Sequence, residues 1–203
     1  MRSKSNTGYA RSVALVACAA ATLAIASCGN PVSPSGGAVP GFASGVITAK
    51  GSIFVNGVEY DTGSSSVTLD NAAGLDDDLR VGMTVEVKGT IDPGSGLGTA
   101  DSVVYASSIE GTVDAGSVDA VAGTFRVFGL AIAVDPTTVF ENATGLAALV
   151  AGDRVEVSGS WNGSAVLASR VEVNPGAGDF RLWGTVGALS GPTDGTFDLV
   201  LED

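Results

Sequence analysis

Nine residues that the chain writes twice constrain its fold more than anything else in it. Val81-Gly-Met-Thr-Val-Glu-Val-Lys-Gly89 returns seventy residues later as Ala151-Gly-Asp-Arg-Val-Glu-Val-Ser-Gly159. In both copies apolar side chains alternate with polar ones (Met83, Val85, Val87; then Val155, Val157). A period of two is that of a strand with one face in a core. The flanking glycines suit tight turns at either end. A helix cannot satisfy this pattern, so the chain is expected to be built from small β units, each arranged around one copy.

The duplication reaches well beyond the strand. Gly45-Val-Ile47, Gly111-Thr-Val113 and Gly184-Thr-Val186 open three successive units, and Val55-Asn-Gly57 matches Val127-Phe-Gly129. The repeat length suits one small domain and exceeds that of common solenoids. Within a unit the order reads strand (45–50), strand (52–55), an Asn56-Gly57 hairpin turn, a third strand region (58–61 with 67–69), a helical turn (75–79), a fourth strand (83–90) and a fifth (99–107). That order predicts an all-β fold of tandem five-stranded OB-like barrels, with small β-sandwiches as the alternative. The expected cores are Ile47, Ile53, Val55, Val67, Leu79, Val85, Val87 and Val103, then Val113, Phe125, Val127, Ile132, Leu149, Val155, Val157 and Val171. Only Ile109-Glu110 separates the two modules, so little slack is expected between them.

The amino terminus reads as a lipoprotein signal peptide over residues 1–27. Arg2, Lys4 and Arg11 precede a run of small apolar residues, Ser12 to Ile25, too short to span a bilayer as a typical helix. The run ends in Ile25-Ala-Ser-Cys28, which resembles the bacterial lipobox, so Cys28 is the expected acylated first residue of the mature chain. Leu15-Val-Ala-Cys18 fits the pattern less well because it leaves too short an apolar stretch. Gly29 stands where lipoproteins retained in the inner membrane usually carry aspartate, which favours the outer membrane. Residues 28–43 read as a Pro/Gly/Ser tether, 44–109 and 110–175 as the two modules, and 180–203 as the first two strands of an incomplete third.

The pattern G-x-I, V-N-G-x-x-Y, L-x-V-G-M-x-V-E-V-K-G and A-x-x-V is carried by Gly45, Ile47, Val55, Asn56, Gly57, Tyr60, Leu79, Gly82, Val85, Glu86, Val87, Gly89 and Ala100. It resembles the bacterial domain-of-unknown-function family 5666. The resemblance implies tandem β modules on a secreted lipoprotein, over residues 45 to about 173. Its motifs are turn glycines and core valines and carry little chemistry. The second copy departs at the hairpin, where Phe128 replaces Asn56.

Composition closes several routes. With no histidine, and only two cysteines, both in the first 28 residues, the body can form no Ser-His or Cys-His nucleophile and no thiolate metal centre. Lys50 and Lys88 read as solvated, and Glu86 and Glu156, the acids repeated at one equivalent position, as outward-facing strand residues. Asp76-Asp-Asp78 supplies oxygen ligands that diverge on a helical turn, so no metal or other cofactor is expected. Asn142-Ala-Thr144 and Asn162-Gly-Ser164 match a glycosylation sequon and read as coincidences in a bacterial chain. Cleavage before Cys28 leaves seven basic against 22 acidic residues, a balance of −15. Phosphate recognition needs the opposite sign, so nucleic acid is excluded as a partner.

What remains is a non-enzymatic binding or scaffolding module for a protein, glycan or cationic ligand, with a ligand-free spacer and an acid-based enzyme as alternatives. The candidate ligand-binding residues are Trp161 and Asn162, in the loop after the fourth strand of module two. An indole at a glycine-rich turn can be a stacking platform or a lid on the core. Asp153, Glu156 and Glu172 are the expected acidic rim.

Overall fold

The computed structural model describes residues 37–176, 178–189 and 196–201. Cys18, Cys28 and most of the tether lie outside them. Module one contains β1 (Val39–Ala49), β2 (Ile53–Val55), β3 (Val58–Asp61), β4 (Ser66–Leu69), β5 (Ala72–Gly74), a 3-10 turn at Asp76–Asp78, β6 (Thr84–Ile91) and β7 (Gly98–Tyr105). β1 pairs with β2 and with β6, β2 with β3, β6 with β7, and β3 with β7 in parallel. That circuit closes a five-stranded barrel with the connectivity of an OB-like fold, and the open sandwich alternative falls.

Module two repeats the circuit with β8 (Ile109–Thr112), β9 (Thr124–Val127), β10 (Leu130–Ala133), β11 (Val139–Glu141), a 3-10 turn at Leu146–Ala148, β12 (Arg154–Trp161) and β13 (Val166–Val173). Its last joint, β8 to β9, is one isolated bridge between Val113 and Val127, so it is a half-barrel beside the closed one. Beyond it, β14 (Arg181–Leu182) adds to β8, and β15 (Thr185–Leu189) pairs with β16 (Phe197–Val200).

Two separate apolar cores result, and all sixteen residues expected in them are buried. The repeated glycines have steric causes. Gly89 and Gly159 sit where the β6–β7 and β12–β13 registers slip by one residue, and a Cβ there would run into the carbonyl oxygen of Thr99 or Leu167. Such a bulge bends the strand enough to close a small barrel. Gly45 and Gly111 are covered instead by the residue at the tip of the following hairpin, Asn56 or Phe128.

Three expectations need correction. Strand β1 begins at Val39, inside the stretch read as tether, because β6 is long enough to pair Val39 with Ile91. The third strand region divides into β3 and β4, each parallel to β7. Strand β5 was unforeseen: Asp70 and Asn71 both take positive φ (47° and 66°), forming a primed hairpin turn without the glycine that usually announces one.

Candidate functional site at the module junction

The two barrels meet through polar groups. Tyr105 ends β7 with its ring in the core of module one, 2% exposed, and its hydroxyl donates across the junction to Glu156 Oε1 at 2.6 Å. The same hydroxyl lies 2.9 Å from Ser158 Oγ. Ser169 Oγ donates to the carbonyl of Gly82 at 2.6 Å. A Cβ at Gly82 would lie 2.8 Å from Arg170 Cβ and 2.9 Å from the Ser169 carbonyl, so module two approaches closely enough to require glycine. Asp70 ties in the linker, accepting from the Ser107 backbone N–H at 2.8 Å and pairing with Arg181 at 3.1 Å.

Electrostatics at this seam are strained in one direction. Burial raises the Glu156 carboxyl above its ordinary value, the Tyr105 hydrogen bond opposes that rise, and the charges of Asp70 and Glu172 add to it. Burial also pushes the Tyr105 phenol up, and the neighbouring Glu156 charge pushes it further. Arg170 is 1% exposed and pairs through Nη2 with Glu172 at 2.7 Å and with Glu141. Its Nε and Nη1 are buried with no hydrogen-bond partner among the described residues. Two carboxylates on one nitrogen are what make a guanidinium tolerable at this depth.

Beside the seam lies a cleft of about 750 Å³, within the range of about 300–1,000 Å³ common for small-ligand sites. Module one contributes Ser44, Thr84 and Glu86, the linker Ser107 and Ser108, module two Ser160, Trp161 and Asn162, and the carboxy-terminal segment Trp183 and Leu201. Ser44 and Glu86 stand opposite each other on β1 and β6, with Thr84 on the same face. Both tryptophans of the chain therefore line one cavity, with five hydroxyl side chains and a single carboxylate among the described residues.

Trp161 and Asn162 do line the cleft, in different ways. Trp161 is the last residue of β12, half-buried, packed on the core of module two and presented to the cleft. Lid and wall are thus one position. The side-chain carbonyl of Asn162 is occupied in the turn, accepting from the backbone of Ser164 and Ala165 at 3.0 and 2.9 Å. The expected acidic rim does not form: Glu156 and Glu172 are half-buried and held by Tyr105 and Arg170, and Asp153 accepts from the Val150 N–H at 2.9 Å. Glu156 is thereby also not the solvated strand residue its alternation implied, while its repeat equivalent Glu86 is exposed as expected and supplies the cleft's carboxylate. Lys50 is no free solvated cation either, pairing with Asp76 at 3.0 Å; the hydrogen bond from Thr62 and the Lys50 charge hold that carboxyl below its ordinary value. Trp183 escaped sequence reasoning because it lies beyond the second repeat, where nothing aligns it with Trp161.

Asn56 and Phe128 occupy the same left-handed hairpin position, φ 52° and 55°. Asn56 Nδ2 donates to the Ser44 carbonyl at 2.9 Å, filling an acceptor on an open strand edge. Phe128 has no such donor, and the equivalent edge at Glu110 is covered by β14, with Phe128 packed edge-on to Phe180 at 5.9 Å between centroids. The residue change is structural in both modules.

Fold and seam together define a protein of tandem OB-like β modules locked by a polar joint. Residues 43–110 and 110–172 each match the family described as "Domain of unknown function (DUF5666)", and the chain belongs to that family. No curated protein and no solved structure matches it.

Proposed function

We propose that the chain is a non-enzymatic binding lipoprotein of the bacterial envelope, held to the outer membrane by an acylated Cys28, with its ligand seated in the junction cleft. The observation that carries the reading is that both tryptophans converge on this one cavity beside a row of hydroxyls. Indole faces and short polar groups are the usual recognition chemistry for a sugar or a partner's side chain. Among the described residues lining the cavity Glu86 is the only acid, so they offer no pair of carboxylates to share acid and base roles, which supports binding over turnover. The −15 balance of the mature chain favours a neutral or cationic glycan or protein over an anionic one.

The hydrogen-bonded seam favours a second reading, a stiff spacer with no ligand. Tryptophan emission separates the two, since every indole of the chain lies in the cleft. A screen of oligosaccharides and peptides should shift the emission of the mature chain, and Trp161→Phe should weaken the response. A flat response to every compound supports the spacer. Anchoring is tested by metabolic lipid labelling: Cys28→Ser should lose the label and leave the membrane fraction. Retention of label by that variant, with loss in Cys18→Ser, would overturn the assignment.

A further inference from the structure

We infer that the cleft takes an oligosaccharide carrying free amino groups, its sugar faces on Trp161 and Trp183 and an ammonium against Glu86; this rests on the cleft being the binding site. The charge pattern points there first. None of the ten residues named in the cleft wall is basic, and one, Glu86, is a carboxylate. Uronic acids, sialic acids and phosphorylated sugars would be placed against a negative charge with no counter-charge, which costs affinity and rejects them. A neutral sugar would satisfy the indoles and hydroxyls but leave Glu86 unused. An amino sugar uses all three.

The hydroxyls argue for a saccharide over a cationic peptide. Ser44 and Ser160 can each donate and accept, while Thr84 and Ser108, whose protons are engaged by Ser169 and the Gly159 carbonyl, keep lone pairs to accept, which suits a ligand that is itself an array of hydroxyl and ammonium donors. A peptide strand needs a run of open main chain, and the wall has little to give. On β12 the stretch Gly159 to Trp161 is paired to β13 on one side, and on the other the Gly159 carbonyl already accepts from Ser108 Oγ at 2.9 Å. The Ser44 carbonyl is likewise taken by Asn56. Side-chain recognition is what the cleft offers.

The seam also explains why one of two repeated acids serves. Glu86 and Glu156 hold the same place in their modules, but Glu156 is spent on Tyr105 whereas Glu86 faces the cavity. A carboxylate on a barrel's outer face becomes a site residue only where other elements wall a cavity beside it, and Glu86, itself exposed, shares such a cavity with Ser108 and Trp183.

The test is a titration of the full mature chain, followed by tryptophan emission and by equilibrium dialysis, with tetraglucosamine, its fully N-acetylated form and cellotetraose. Tetraglucosamine should bind tightest, and added salt should weaken it more than the neutral sugars. Glu86→Gln should weaken tetraglucosamine about tenfold and leave the neutral sugars within about twofold, a selective loss that a folding defect would not produce. Equal binding of all three with no effect of Glu86→Gln overturns the amino-sugar inference and leaves the cleft reading intact. Binding by dialysis that neither perturbs emission nor weakens in Trp161→Phe and Trp183→Phe places the ligand elsewhere and overturns both.

Discussion

Removing the Tyr105 hydroxyl should uncouple the two barrels. Tyr105→Phe keeps the ring that fills the core of module one and deletes only the atom that crosses the seam. Two hydrogen bonds go with it, one to the Glu156 carboxylate at 2.6 Å and one shared with Ser158 at 2.9 Å. A hydrogen bond to a charged partner contributes about 1.5–3 kcal/mol and a neutral one about 1. Glu156 can relieve part of the loss by taking up a proton, so we expect a net cost of about 2 kcal/mol at neutral pH. With a urea dependence of about 2 kcal/mol per molar, the unfolding midpoint falls by about 1 M. Far-UV circular dichroism reads both modules, whereas tryptophan emission reads only module two and the carboxy-terminal segment, where Trp161 and Trp183 lie. The two curves should coincide in the parent chain and separate in the variant. Tyr60→Phe, at a phenol buried in the same core, should leave them coincident. Curves already separate in the parent, or a Tyr105→Phe midpoint equal to the parent's, would refute the claim that this hydroxyl joins the modules.

Glu156→Gln should stabilise the protein at neutral pH. The native carboxyl is raised above 4.5, so its contribution is fully present below that value and is lost as pH rises through the higher native one. The difference in thermal midpoint between parent and variant should therefore grow from pH 4 to neutrality; a constant difference would count against burial as the cause. Gly82→Ala and Gly152→Ala both force a side chain onto positive φ (91° and 88°), at about 1–2 kcal/mol each. Only at Gly82 does the new methyl also meet the other module, with no atom of the described residues within 4 Å at Gly152. Chemical denaturation should show Gly82→Ala as the costlier by about 1 kcal/mol or more, and equal losses would place the close approach elsewhere.

Barrel and cores were legible because both rest on local rules. A period of two marks which side of a strand is apolar, and duplicated glycines mark where β12 must bend just as β6 does. The site was only half legible. Trp161 announced itself by standing at a turn, where an indole has no local reason to be. Glu156 and Glu86 are indistinguishable in sequence, each flanked by valines, and their separation into seam and cleft depends on how the second barrel is laid against the first. No pattern within one module encodes that docking. Its signals were single residues with no periodicity, the hydroxyl on Tyr105 and the serine at 158 where module one has Lys88.

The seam between modules one and two is not a rule that the repeat can apply again. Tyr105 and Val173 are equivalent, pairing with Val85 and Val155 at the same register. Module two thus ends in a side chain without a hydroxyl, and its Gly152 has none of the described residues against it. The segment that follows docks by other means: β14 pairs with β8, Phe180 packs on Phe128 and under the Arg154 guanidinium, and Arg181 reaches back to Asp70 in module one. An array propagated by a constant joint would place every module alike and make every intermodule surface the same. Here the second joint folds the carboxy-terminal segment back toward the first, so that Trp183 and Trp161 line one cleft to which both modules contribute. Lengthening the chain with a further copy of module two would therefore extend the protein without creating a second cleft.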